Sequence, residues 1–191
     1  MKLEIKEITV CGLFAALTAI GAFLQIQIPL PLYTMHFTLQ WFFVLMAGLL
    51  LGSKLGSISV LVYLLIGLMG IPVFAAGGGP AYVLRPGFGF LLGFLAAAFV
   101  IGKLIETFRW NNFWQYLVAA VIGEVVYYAI GAVYFYLMKN LYAGEAVSWT
   151  VVVVQYCLIT VFPDFLLCVM ATLVTMKLRV PIKKYVPARS V

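Results

Sequence analysis

Charged residues in this chain stand at the edges of long apolar runs and almost never inside them. Of 191 residues, 65% are hydrophobic and 9% charged, with a mean hydropathy of +1.14. Soluble domains are about 45–50% apolar and about 25% charged, so a multi-pass membrane protein is the class that fits. A helix that crosses a bilayer needs about 20 apolar residues, and this length holds about six once loops are subtracted. The runs are continuous rather than alternating, which selects helices over barrel strands.

Six spans are expected, at about Ile8–Ile28, Thr38–Gly52, Leu55–Ile71, Phe88–Ile105, Phe113–Met138 and Trp149–Met176. They form a single all-α integral membrane domain over 1–191. The second and third are short and joined by Ser53-Lys54, a tight hairpin. Orientation follows from basic residues at span ends. With the N-terminus in the cytoplasm, that side holds Lys2, Lys6, Lys54, Lys103, Arg109, Lys177, Arg179, Lys183, Lys184 and Arg189, and the outside holds Arg85 and Lys139. Both termini are therefore expected inside. The net charge of +6 reads as this orientation signal and not as a nucleic-acid surface. Trp110 and Trp114 fall at the inner interface and Trp149 at the outer one, where aromatic belts form. Asn111 and Asn112 need only cap the fifth helix. The N-terminal residues Lys2, Glu4, Lys6 and Glu7 mix signs and no small-residue cleavage site follows, so the first span reads as retained. Cys11, Cys157 and Cys168 form no paired motif and read as packing residues, without a disulfide, metal or cofactor.

Two outer loops stand out. Gln27–Phe37 carries Pro29, Pro31, Tyr33 and His36, and Pro72–Gly87 carries Gly77-Gly78-Gly79-Pro80, Tyr82 and Arg85. Both are rich in residues that let backbone approach a ligand. Beneath them, Asp164 follows Pro163 inside the last apolar run. An acid at membrane depth is costly and marks a cavity or path, and the proline predicts a local helix break. Counting back from Lys177 sets Asp164 roughly 10 Å below the outer surface. A capped, outward-facing pocket is the expected site.

Other residues keep two readings. Glu124 lies near mid-membrane, either lining the pocket or paired internally. His36 reads as a solvated loop histidine in preference to a gate residue. Gln40 serves either a pocket or an interhelical hydrogen bond. Tyr82, Phe88 and Tyr128 are by default core or lipid-facing aromatics, with packing on a ligand ring as the alternative. An intramembrane enzyme needs convergent catalytic groups. One histidine and two membrane-depth acids on different helices, with no DxxD or HExxH, do not supply them. No span repeats polar residues along one face, as a channel would. No phosphate-binding loop is present, and Gly48–Lys54 lacks the spacing, so energy for uphill transport must come from another chain.

Thr38-Leu39-Gln40 with Met46–Gly52, the glycine-flanked Pro-Val-Phe stretch of Gly67–Gly79, Pro86–Phe94, Tyr128–Gly131 and the Pro163-Asp164 pair occur in order over the chain. In this order and spacing the sequence resembles the BioY family, the biotin-specific substrate-binding (S) components of energy-coupling factor transporters. The resemblance implies the S-component fold, capture of biotin or a related carboxylate vitamin such as lipoate from outside, and work with a transmembrane coupling subunit and two ATPases in the lipid bilayer. The expected ligand site takes in Gln40, Gly78, Gly79, Tyr82, Arg85, Phe88, Glu124, Tyr128 and Asp164. The resemblance also implies a coupling-subunit docking face of small residues on the first span: Gly12, Ala15, Ala19 and Ala22, for which packing within the bundle is the alternative. Three positions depart from the family: Leu167 where a lysine is usual, His36 for proline and Gly87 for threonine. With the lysine gone, Arg85 is the expected partner of the ligand's carboxylate, and Asp164 the acceptor of N–H bonds from its polar head. An Arg85 ion pair with Asp164 or Glu124 that only holds the cap is the other reading.

Overall fold

A computed structural model describes residues 4–29 and 34–182, with side chains up to Arg179. Pro31, Tyr33, Lys2, Lys183, Lys184 and Arg189 lie outside the described residues. Among the described residues, five helices are long and apolar enough to cross a membrane. In chain order the elements are α1 (Ile5–Phe23), β1 (Gln25–Ile28), β2 (Met35–Thr38), α2 (Gln40–Leu68), a 3-10 turn (Pro80–Leu84), α3 (Phe88–Phe108), α4 (Phe113–Leu137), α5 (Trp149–Val153) and α6 (Ile159–Ile182). A π-helical turn, Met138–Tyr142, extends α4, and another, Val154–Leu158, joins α5 to α6.

The hairpin expected at Ser53-Lys54 turns one residue earlier. Gly52 has φ 77° and ψ −175°, a conformation essentially restricted to glycine. There α2 folds back on itself, so that Gln40 near its start hydrogen-bonds Tyr63 near its end. The turn is fastened to α3. The backbone N–H and hydroxyl of Ser53 each donate to the Glu106 carboxylate at 2.7 Å, and Gly102 lets the turn's backbone lie directly on the helix. The doubled α2 sits at the centre, with α1 and α3 on its flanks and α6 also against it; α4 packs on α3 and α6. Burial on most sides explains why α2 is apolar all round.

Two expectations are corrected. The first span was expected to reach Ile28, but α1 stops at Phe23, and Gln25–Ile28 pairs antiparallel with Met35–Thr38. Gln25-Ile26-Gln27-Ile28 alternates with period two, which suits a strand and not a helix. The fold thus carries one small sheet beside its helices. Pro163 does not interrupt its helix, and α6 runs through it. Pro163 has no N–H to donate to the Ile159 carbonyl, a loss that membrane helices tolerate, and a π turn, Val154–Leu158, lies just upstream.

The ends of the bundle differ in charge. Cys11 of α1 meets Leu55 just past the α2 turn, Glu106 fastens that turn to α3, and Arg179 reaches the Asn111 carbonyl between α3 and α4. Lys6, Lys54, Lys103, Arg109, Lys177 and Arg179 therefore gather at one end. The other end holds the β-hairpin, the 3-10 turn, Arg85 and Lys139. Lys139 is neutralised by Glu145 at 2.8 Å. Trp114 and Trp149, both exposed, mark opposite ends. Asn112 caps α4 by accepting from the Gln115 N–H.

Candidate functional site

At the end with the β-hairpin, a cavity of about 90 Å³ lies between β2, the glycine-rich cap and helices α2, α3, α4 and α6. One water needs roughly 10–15 Å³, so this is a binding space and not a packing gap. Its apolar wall is an aromatic box. Tyr127 of α4 stacks on Trp41 of α2 at 4.8 Å and on Phe94 of α3 at 5.0 Å, and Phe90 meets it edge-on at 5.6 Å. The box forms because α3 and α4 approach closely at Gly93, where any Cβ would strike the Tyr127 backbone. Phe90 and Phe94, one turn apart, then project on one face.

The polar groups stand around this box. Asp164 of α6 lines the cavity and is 2% exposed. Tyr128 donates its hydroxyl to the Asp164 carboxylate and is 2.9 Å from the Thr160 hydroxyl. The π turn just upstream brings Tyr156 and Thr160 to the lining alongside Asp164. Gln40 lines the opposite wall; its carbonyl accepts from Thr38 at 3.2 Å and its amide donates to Tyr63. No carboxylate reaches a cation within this site among the described residues, and no group of side chains there is arranged to hold a metal.

Of the expected site residues, Gln40, Tyr82 and Asp164 line the cavity. Tyr128 acts from just behind Asp164. Phe88 is packed between Tyr82 and Tyr134, beneath the cap. Gly78 and Gly79 hold the cap's base to α2: Gly78 lies against the Gly67 and Ile71 carbonyls, and the Gly79 N–H donates to Gly67 at 2.7 Å. Glu124 sits one helical turn from Tyr128, away from the lining, where one carboxyl oxygen accepts from the Cys168 thiol at 3.3 Å. Arg85 is exposed at the rim, its guanidinium 5.0 Å from the centre of the Tyr82 ring, with no ion pair to Asp164 or Glu124.

His36, expected in solvent, is a lining residue. Pairing of β1 with β2 sets it beside Gln25, whose side chain lies 2.7 Å from its Nδ1. Burial, with the charge of Arg85 adding to it, holds the imidazole below its ordinary proton affinity. On α1, Ala15 and Ala22 face inward, Ala19 is half-buried and Gly12 is exposed with open space around it. The small-residue stripe is therefore split between packing and surface.

The sequence profile of the BioY family matches residues 1–184. The chain is 43% identical to a probable biotin transporter BioY of Lysinibacillus sphaericus over 172 residues, which is 90% of this chain and 86% of that one. It is 42% identical to the biotin transporter BioY of Thermotoga maritima over 127 residues, 66% of this chain and 72% of the relative. In three dimensions it is similar to the crystal structure of the S-component for biotin from an ECF-type ABC transporter, with a TM-score of 0.81, 26% identity and coverage of 92% and 91%.

Proposed function

Because the chain belongs to the BioY family, we propose that it is a multi-pass cell-membrane S subunit that captures biotin for an energy-coupling factor transporter. It is a substrate-binding transport protein and not an enzyme. The observation that carries the substrate reading is Asp164. Among the described residues it is the one acid lining the aromatic cavity, where an acceptor is useful to a ligand with N–H donors. A ureido ring offers two. Lipoate offers none and would leave the acid buried without a ligand partner, at a cost of several kcal/mol. The aromatic box of Trp41, Phe94 and Tyr127 suits the ligand's apolar ring and chain.

The two arms of α2 on either side of Gly52 count in this reading as the second and third of six spans. The lysine- and arginine-rich end, with both termini, faces the cytoplasm. The cavity then opens outward. A coupling subunit and two ATPases supply the energy, the former docking on the outward face of α1 at Gly12 and Ala19. Ala15 and Ala22 serve packing against the rest of the bundle.

Isothermal titration of purified protein with biotin and lipoate tests the substrate: biotin binds tightly and lipoate at least 100-fold more weakly. Equal affinities, or no heat with biotin, overturn the reading. At the rim, Arg85 binds the carboxylate. Arg85→Ala is expected to weaken biotin about tenfold, as loss of one charge-assisted contact implies, and to leave biotinamide within about threefold. Equal losses for acid and amide exclude the pairing.

A further inference from the structure

Gln25 fixes the state of His36. Its amide nitrogen donates to the Ala75 carbonyl of the cap at 3.1 Å, so its carbonyl oxygen is the atom turned to His36 Nδ1, 2.7 Å away. A carbonyl oxygen only accepts, so Nδ1 carries the hydrogen. Nε2 of the neutral ring is then left with a lone pair, and it has no hydrogen-bond partner among the described residues. The ring itself lines the cavity.

Among the described residues, polar and charged groups face it from several elements. Gln25 comes from β1, Arg85 and Tyr82 from the cap, and Tyr127, Tyr156 and Asp164 lie across the cavity. Of the two charged groups, Arg85 is the one whose charge bears on the ring, and it opposes protonation. A carboxylate arriving at Arg85 cancels that charge and adds an anion beside the imidazole. Both changes favour the imidazolium. Nδ1–H is already committed to Gln25, so the new proton goes to Nε2, which then donates to the carboxylate.

Resting on the biotin reading above, we infer that His36 takes up one proton from solvent as the vitamin's carboxylate binds, making it a proton-linked specificity residue for the ligand's carboxylate. The proton adds to Nε2 and no other bond changes. Binding therefore tightens as pH falls. Between about pH 6 and 8, where the carboxylate stays ionised, affinity is expected to change by up to tenfold per pH unit.

Titration of the full-length protein with biotin in phosphate and in Tris, whose ionisation enthalpies differ, reads the proton count directly. The expected result is net uptake approaching one proton near pH 7 for biotin. None is expected for biotinamide, or for biotin with His36→Gln. Biotin binding without uptake overturns the inference while leaving the substrate reading standing. Undiminished uptake with biotinamide removes the carboxylate from it, and undiminished uptake in H36Q removes the histidine. Absence of any biotin binding sinks the substrate reading and this inference together. The biotinamide comparison uses the unaltered protein, so it decides even if H36Q does not fold.

Discussion

Asp164→Ala is expected to weaken biotin binding about 100-fold, measured by titration of purified protein. Hydrogen bonds to a charged group contribute about 1.5–3 kcal/mol, and each 1.4 kcal/mol is about tenfold in affinity. Folding should be spared. Tyr128 keeps its contact with Thr160 when the carboxylate goes, and removal of a buried acid lowers the desolvation cost of the bundle. Asp164→Asn separates the roles of the group. It retains one acceptor oxygen but adds donors facing the ligand's own N–H groups, so a loss close to that of alanine is expected. Affinity of D164A within threefold of the parent would show that the acid serves packing alone.

The largest effect on stability is expected at Gly102. A Cβ there would sit 2.1 Å from the Ser53 nitrogen and 2.3 Å from the Gly52 carbonyl carbon, and both obstacles are backbone of the α2 turn. No side-chain rotation relieves this collision. Gly102→Ala must push α3 away from the turn and stretch the two Ser53–Glu106 hydrogen bonds. Overpacking of this kind costs about 3 kcal/mol, or roughly 6–12 °C in Tm for a chain of this size. Gly12→Ala is the matched control, also a helical glycine but with nothing within 4 Å of the new methyl. It should leave Tm unchanged or slightly raised. A Gly102→Ala protein that melts with the parent would mean that the turn is not seated on α3.

Much of the bundle was legible because a bilayer imposes long apolar segments, and charges then mark their ends. The tight reversal in α2 was visible for that reason, one residue from its true apex at Gly52. The β-hairpin was not, because Ile26 and Ile28 extend the apolar run of α1 and hide a change of period from 3.6 to 2. Asp164 stood out as a lone acid in an apolar run. The aromatic box did not, since Trp41, Phe94 and Tyr127 are apolar residues in apolar helices and offer no contrast. The available signals were slight: Trp41 follows the polar Gln40, and Phe90 and Phe94 are spaced one turn apart between glycines. The α1 stripe failed to resolve because Gly12, Ala15, Ala19 and Ala22 mark a surface fit for close approach without saying which partner approaches. The place of His36 in the cavity lining is not legible in the sequence, because it depends on strand pairing that a hydropathy reading does not supply.

The doubled α2 gives the site a direct mechanical linkage. Gln40 in the wall bonds Tyr63 on the returning arm, and the Tyr63 hydroxyl reaches the Val73 carbonyl of the roof at 3.3 Å. Wall and roof thus belong to one uninterrupted stretch of chain, joined by a single phenol. A guest that tugs on the amide at the wall pulls on the roof through two hydrogen bonds. A displacement of the Gln40 side chain would therefore reach the Val73 carbonyl without rearranging the bundle.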